Sequence, residues 1–508
     1  MIVHGDPGRE EALESILASL RAGIDRLAKE VSCDALRRIL IQAGELEQAV
    51  ADAPCSTGPP GDFGEIRRAL RAVTSLAASA FHHACEPPID GTNGTRLVRE
   101  ALEGMRKALD RFPNGTGGHS RVWVGVPGGF AYRALFPERY REAARRWAVD
   151  HAESPERDVL IVGIRNAGTT LSAVVAATLR SSGWRARRIT VRPGANPHAR
   201  RLEFKGIRPA AWGLVVDGER GPSGSATAAV ADALTRAGVA RIHLFQGHEG
   251  GSPLEELRLG KRSLPEALWI SIDGGREDPL SRVVACGGGA WRAMHYGARS
   301  SWPPVCRVLE QPKLLCEGES GRRILFKFAG LASAPGSPSS MAEVHARRLA
   351  RLAREDLTAA PLGIAHGFVA TDWLDGRPLA ATDASPDLLR RIGRYIAAAA
   401  GPPLSVAASR AARNRLETML CSNAGEALGD EAANAAVSLV RPVPVLTQTP
   451  RSGDGHLAPH EWIATREGRV LKTDAGGHDL DPTWTGRQPV LWDLAGAVLE
   501  WDLDDAGT

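Results

Sequence analysis

Two aspartates set the chemistry that this sequence suggests. Asp454 lies in Ser452-Gly-Asp-Gly-His-Leu-Ala-Pro-His-Glu-Trp462, in a glycine-flanked loop where a carboxylate can face a substrate. Asp474 follows twenty residues later, after the run Val470-Leu-Lys-Thr, which Lys472 breaks. The stretch reads as loop, short strand, turn, strand, loop. Two carboxylates so placed suit two tasks at one phosphate site. One orients and deprotonates a hydroxyl, and the other holds a magnesium ion that bridges phosphates. Upstream, Lys327 sits inside the strand-like Ile324-Leu-Phe-Lys-Phe328, and Glu343 lies on a helix read over 339–354. A strand lysine followed by a helix glutamate can form an ion pair, a feature any strand–helix pair can contain. Lysine is scarce, with seven in the chain, so arginine supplies the routine positive charge. A lysine inside a motif is then informative, because an ammonium point charge and a guanidinium fork are not interchangeable. The plainer reading of the same residues is a β-hairpin with solvated acids.

A second set of residues lies at strand ends in the middle of the chain. Gly163-Ile-Arg-Asn-Ala-Gly168 stands between a strand read at Val159-Leu-Ile-Val162 and a helix read over 169–180. Asp217-Gly-Glu-Arg-Gly-Pro-Ser-Gly-Ser225 stands between a strand over 211–216 and a helix over 226–238. Small residues let backbone N–H groups approach a phosphate, and the following helix N-terminus favours the anion. Neither loop is G-x-G-x-x-G or a Walker A sequence, which disfavours a Rossmann or P-loop reading. Packing loops of a glycine-rich α/β domain remain the bland alternative.

The elements that must position these residues follow from the pattern along the chain. From about Glu10 to Phe112 the sequence reads as wholly helical, with Leu13, Ile16, Leu17, Leu20, Ile24 and Leu27 at helical spacing. No chemistry is read there: Glu45 and Gln48 are taken as a solvated helix face, and His82-His83 as surface. This helical region is expected to pack on the next domain or to form a homodimer. The segment Asn114-Gly-Thr-Gly-Gly118 reads as a linker. Beyond it, strands and helices alternate, which argues for a doubly wound parallel sheet with ligands at the carboxyl ends of its strands. Cys286-Gly-Gly-Gly289 reads as a hinge. The expected organisation is therefore multidomain α/β and α+β: a helical region 1–115, a parallel-sheet domain 116–285 and a third domain 286–508.

Composition bounds the rest. A chain of 508 residues is too long for one core. Its 63 basic and 59 acidic residues leave a net charge of +4, too balanced to argue for nucleic acid or a membrane surface. No apolar run reaches membrane-spanning length, and the polar, acidic start is unlike a signal peptide. Seven scattered cysteines without a C-x-x-C pair suit reduced thiols in a cytoplasm and argue against a zinc site.

Two resemblances sharpen these expectations. The stretch from Gly453-Asp454 to Asp474 resembles the catalytic core of aminoglycoside-phosphotransferase-like and choline-kinase-like proteins, over roughly 291–503. It implies a bilobal kinase-like domain that moves the γ-phosphate of ATP onto a hydroxyl. Asp454 would be the base, Asp474 a magnesium ligand, and Lys327 with Glu343 the ATP-phosphate pair. The adenine would lie at a hinge, Phe368-Val-Ala-Thr-Asp-Trp-Leu-Asp-Gly-Arg-Pro-Leu379, which includes Asp372. Asp493 would brace the catalytic loop. The chain departs from the pattern where Ser452 replaces the leading His, and where His460 falls one residue late for the second metal ligand, an Asn. The middle domain resembles type I phosphoribosyltransferases over roughly 120–281. This implies a phosphoribosyl pyrophosphate site with Asp217 and Glu219 at the ribose hydroxyls. Gly221, Ser223, Gly224, Ser225 and Thr227 would surround the 5-phosphate, and Gly163, Arg165 and Gly168 the pyrophosphate. Arg192 would open a mobile flap. Gly218 stands where the family has a second adjacent acid. Together these imply a bifunctional small-molecule transferase using ATP, magnesium and phosphoribosyl pyrophosphate. A ligand-binding protein with degenerate domains and a single-activity kinase remain open beside it.

Overall fold

The computed structural model describes residues 8–53, 62–85, 93–112, 121–193, 202, 204, 208–218, 224–246, 254–274, 278–287, 289–303, 310–334, 339–440, 451, 453–476 and 489–503. The fold is mixed α/β, with helices and several sheets, one of them parallel. The chain forms two compact units. The first is Gly8–Ala267 with Leu331–Ser340, and the second contains Leu268–Gly330 and Met341–Thr508.

The first unit opens with β1 (Gly8–Ala12), α1 (Leu13–Lys29), α2 (Cys33–Asp52), α3 (Asp62–Ala84) and α4 (Asn93–Asp110). Then come β2 (Arg121–Gly125), α5 (Gly128–Ala131), α6 (Pro137–Asp150), β3 (Asp158–Ile164), α7 (Ala167–Ser181) and β4 (Arg185–Val191). After β5 (Trp212–Asp217), α8 (Ser225–Arg236) and β6 (Arg241–Gln246), a short ribbon of β7 (Arg258–Leu259) and β8 (Arg262–Ser263) leads into α9 (Leu264–Asp273). The strands β4-β3-β5-β6 form a parallel sheet in that order. The order reverses between β3 and β5, which makes that crevice the switch point. Leu160, Val162 and Ile164 of β3 pack with Val215, Val230 and Leu234, so α8 covers this face. Gly163 points the other way, where a Cβ would lie 2.4 Å from Gly168 O and from Ser172 Oγ of α7.

The helices α1–α4 are not set apart from the sheet. The apolar stripe of α1 buries Leu13, Ile16, Leu17, Leu20, Ile24 and Leu27, while α2 and α3 pack on α7. Gly44 makes the approach of α2 feasible, since a Cβ there would fall 2.0 Å from Thr170 Oγ1. Glu47 of α2 then meets Arg188 of β4 at 2.6 Å, and Arg37 meets Glu138 of α6 at 2.5 Å, both pairs buried. These contacts correct three expectations. Glu45, Gln48 and His82 are buried rather than solvated, because α2 and α3 are covered on both sides. Residues 8–12 are a strand, paired antiparallel with β2, rather than the start of a helix. A boundary near 115 separates no compact unit, because helices on either side of it share one core.

The second unit has a five-stranded sheet in the order β12-β13-β11-β10-β9. Its members are β9 (Leu280–Ala285), β10 (Lys313–Gly318), β11 (Arg323–Phe328), β12 (Pro361–Ala365) and β13 (Phe368–Asp372). All pair antiparallel. Helix α10 (Gly289–His295) lies between β9 and β10 in the chain, and α11 (Met341–Arg354) between β11 and β12. A smaller sheet joins β14 (Gly376–Pro378) to the hairpin of β15 (Trp462–Thr465) and β16 (Val470–Lys472). Helices α12 (Pro386–Ala399), α13 (Val406–Leu428), α14 (Asp430–Val440) and α15 (Val490–Glu500) complete it. The start of α12 follows from sequence: Ser385 caps it by accepting the Leu388 N–H, and Pro386 takes the first turn. Residues 280–285, now β9, were expected inside the parallel-sheet domain, with no strand read there. Instead β9 pairs with β10, so the chain passes between units within α9, not at the glycines after Cys286.

Candidate functional site

Lys313 and Lys327 are direct cross-strand partners on β10 and β11, so their side chains share one face. Like charges in that register repel unless an anion lies between them. Asp474, just past β16, is that anion: Lys313 Nζ donates to its Oδ2 at 2.7 Å and Lys327 Nζ to its Oδ1. Desolvation lowers the pKa of Lys327 despite Asp474 and is reinforced by Lys313. In Lys313 desolvation is outweighed by Asp474, and the pKa rises.

Behind this trio lies a buried polar network. Lys472 of β16 is wholly buried and donates to Glu461 Oε2 at 2.6 Å and to Asp474 O at 3.1 Å. Its Nζ is 3.6 Å from Asp454 Oδ2. Desolvation of Lys472 is more than offset by Asp454, Glu461 and Asp474, so its pKa is raised. Asp454 is 1% exposed and accepts the Tyr395 hydroxyl on the same oxygen. Its loop is fixed by Asp493 of α15, which accepts the N–H of Asp454 at 3.1 Å and of Gly455 at 2.8 Å. The glycine before Asp454 is required by this brace: a Cβ on Gly453 would fall 2.5 Å from Asp493 Oδ2.

A cavity of about 500 Å³ opens onto Lys313, Lys327, Asp474, His460 and Glu461 at its polar end. Trp291 and His295 of α10, with Trp373 after β13, form an aromatic wall. The His295 and Trp373 rings lie 6.2 Å apart and nearly parallel, and Trp291 is 6.1 Å from His460. Burial lowers the pKa of both His295 and His460, which favours neutral imidazoles.

Glu500 of α15 also borders the cavity and accepts the Leu457 N–H at 2.7 Å. Burial, with Glu461 and Asp454 adding to it, pushes its pKa up to about 7. The folded state therefore holds this proton at pH values where the unfolded chain has lost it. Stability from this group is complete below the unfolded value near 4.5 and is lost as pH rises through about 7. Glu500→Gln is expected to be nearly neutral at pH 4.5 and to stabilise by roughly 1–2 kcal/mol at pH 8, after discounting for its partial exposure. Urea unfolding of both proteins across that range measures the difference.

The structure gathers some of the expected residues and separates others. Asp454, Asp474, Lys327 and His460 lie in one neighbourhood, and Asp372 reaches the cavity from the end of β13. Asp454 itself does not line the cavity among the described residues, because Tyr395 and Lys472 enclose it. The ion pair expected between Lys327 and Glu343 is made with Asp474 instead, and Glu343 sits in the first turn of α11. The Trp373 N–H in the expected hinge already donates to Arg323 O at 3.1 Å.

In the first unit Asp217 ends β5 and is 8% exposed. Gly218 packs so closely that a Cβ would lie 2.3 Å from Ala167 Cβ, which leaves no room for a second acid. Gly163 and Gly168 serve close packing of α7 rather than an open phosphate loop, since a Cβ on Gly168 would meet Val216 O at 2.6 Å. Gly224 precedes α8 with a φ of 60°, and Ser225 and Thr227 occupy its first turn. Glu219, Gly221 and Ser223 lie outside the described residues. Arg165 and Arg192 both meet Asp52.

Sequence reasoning missed Lys313, Lys472 and Tyr395 as members of the site, and offered Glu461 only as an oxygen ligand in place of His460. The scarcity of lysine was the available signal: three of the seven lysines converge on these acids. Among the described residues no group of three or more His, Cys, Asp or Glu side chains is placed to hold a metal. The donors instead suit magnesium carried in on a nucleotide, which needs one or two protein carboxylates beside phosphate oxygens. Asp474 fits that need; a neutral His460 does not. No described helix is long and apolar enough to cross a membrane. Compared with known protein families, curated proteins and solved structures, the chain matches none.

Proposed function

We propose that the second unit is a kinase-like phosphotransferase that passes the γ-phosphate of ATP to a hydroxyl on a small molecule. The observation that carries this reading is the sharing of Asp474 by Lys313 and Lys327 at the polar end of a cavity with an aromatic wall. In this reading the two ammonium groups turn to phosphate oxygens when the nucleotide enters. Asp474 then serves as the carboxylate ligand of magnesium, which supplies positive charge to the phosphates when bound. Asp454 takes the hydroxyl proton, with Lys472 beside it at 3.6 Å. The aromatic wall takes the base of the nucleotide.

The first unit, in the same proposal, is phosphoribosyltransferase-like. It binds phosphoribosyl pyrophosphate at the switch point of its parallel sheet, with Asp217, Ser225 and Thr227 beside the ribose phosphate. It passes the ribose phosphate to a base-like or amine-like nucleophile and releases pyrophosphate. The free thiols of Cys33, Cys85, Cys286, Cys316 and Cys421 suit a reducing, cytoplasmic setting.

One observation favours a second reading, in which the second unit binds nucleotide without turnover. Asp454 is enclosed by Tyr395 and Lys472, out of direct reach from the cavity. Calorimetry with ATP and magnesium, followed by a phosphate-transfer assay over hydroxyl acceptors, separates the two. Under phosphotransfer, Asp454→Asn keeps nucleotide affinity while turnover falls about 10²-fold or more. Tight ATP binding by the wild type with no turnover on any acceptor selects the binding reading. Absence of ATP binding removes both.

A further inference from the structure

In the first unit Arg165 and Arg192, expected at the pyrophosphate and its flap, both meet a carboxylate instead. Arg165 follows β3 and Arg192 follows β4, so both stand at carboxyl ends of adjacent parallel strands. Ligands of open parallel sheets bind at such ends. Here the two guanidinium groups close on one carboxylate, Asp52. Arg165 Nη1 donates to its Oδ1 at 2.5 Å, and Arg192 Nε and Nη2 donate to its Oδ2 at 2.9 and 2.5 Å. Asp52 does not belong to the sheet. It is the last residue of α2, far away in sequence.

The position of Asp52 runs against the needs of its own helix. A helix C-terminus carries partial negative charge and favours cations. Arg165 meets that need by also donating to Ala51 O at 3.2 Å. Among the described residues the carboxylate is held there by the two arginines, to which it offers two charged oxygens as a phosphate would. Two cations face one anion, and Arg165 Nε is buried without a hydrogen-bond partner among the described residues. The cluster is also open to exchange, with Arg192 and Asp52 side chains 47% and 26% exposed. Ion pairs at that exposure are weak, at about 1 kcal/mol or less.

Around Arg165 and Arg192, which the resemblance places at the pyrophosphate and its flap, we propose that Asp52 occupies the anion site until a phosphate or pyrophosphate group displaces the carboxylate. The N-terminal helices thereby report on ligand arrival, since α2 loses its tie to both strand ends when the anion binds. Only the identity of the ligand, phosphoribosyl pyrophosphate, rests on the proposed function.

The test is calorimetry of the full chain with inorganic pyrophosphate and with phosphoribosyl pyrophosphate at fixed salt. Asp52→Asn, with Asp52→Ser as a second variant, is expected to bind pyrophosphate about tenfold more tightly than wild type. Arg192→Gln is expected to weaken binding about tenfold in either background. Equal or weaker affinity in a folded Asp52→Asn overturns displacement and makes Asp52 a positioning residue. Unchanged affinity in a folded Arg165→Gln, Arg192→Gln double variant overturns the site itself. Pyrophosphate binding that follows the expected pattern, without any phosphoribosyl transfer, upholds the site and removes the transfer reading.

Discussion

Lys472→Met is expected to destabilise the second unit by about 3–5 kcal/mol. The ammonium group is wholly buried and is the cation facing Glu461 at 2.6 Å and Asp454 at 3.6 Å. Methionine fills much of the same volume, so the loss is not chiefly a cavity effect. What remains is a pair of acids in a low-dielectric site without their counter-ion, and Asp454 is 1% exposed. One of them must take up a proton or draw in water. The deficit is therefore expected to shrink as pH falls from 7 to 5, because a protonated acid needs no counter-ion. Arginine is not expected to rescue the variant, since a wider planar group would have to fit where the Lys472 side chain is wholly enclosed. Urea unfolding at the two pH values measures both parts. A loss under about 1 kcal/mol, the range of solvated pairs, would contradict a buried network around Lys472.

The part of this site that was legible in the sequence is the part made by neighbours in the chain. The hairpin of β15 and β16 with Asp474 just beyond it follows from alternation and turn residues over a few positions. Asp493 was expected to brace the loop of Asp454, and its carboxylate accepts the N–H groups of Asp454 and Gly455. The rest depends on strand register. Lys313 faces Lys327 only because β10 and β11 pair as they do, and a shift of one residue would send one of them to the opposite face. That register brings Asp474 to Lys327 in place of the expected Glu343. Tyr395 illustrates another limit. On α12 it occupies an apolar-face position beside Ile392 and Ile396, and nothing local distinguishes it from core. Only the tertiary fold brings its hydroxyl to Asp454.

The fold shows the same division. The βα alternation over β3, α7, β4, β5, α8 and β6 follows from short buried apolar runs between amphipathic stretches, and it forms the parallel sheet. The burial of α2 does not follow in this way. Glu45, Glu47 and Gln48 lie on it close together, a pattern that normally marks a solvated face. Glu47 is buried because Arg188, on β4, neutralises it, and no local pattern discloses a partner so far along the chain. Glycines carried a comparable ambiguity. Gly163 and Gly168 read as a phosphate loop because small residues allow close approach, but the group that approaches is the backbone of the chain itself.

Lys327→Met is expected to weaken ATP binding about 10- to 100-fold while changing stability by less than about 1 kcal/mol, and the contrast between these effects is the diagnostic. Removing a buried cation usually strands its partner. Here Asp474 keeps Lys313 at 2.7 Å, so its charge stays compensated in the variant. Desolvation already disfavours the charged form of Lys327, and Lys313 adds repulsion to it. Loss of Lys327 therefore relieves as well as removes an interaction, and the free fold tolerates it. A bound triphosphate reverses the balance. It brings several negative charges to a site whose two lysines supply compensation, and each charge-assisted hydrogen bond contributes about 1.5–3 kcal/mol. Lys313→Met is expected to act in the same direction. In stability the double variant is expected to lose more than the sum of the single losses, because Asp474 then keeps neither lysine. Calorimetric titration with ATP at saturating magnesium, alongside thermal unfolding of each variant, provides both readouts. Unchanged ATP affinity in a folded Lys327→Met would sink the nucleotide reading of the cavity. A large loss of stability with the affinity intact would make the trio a structural staple.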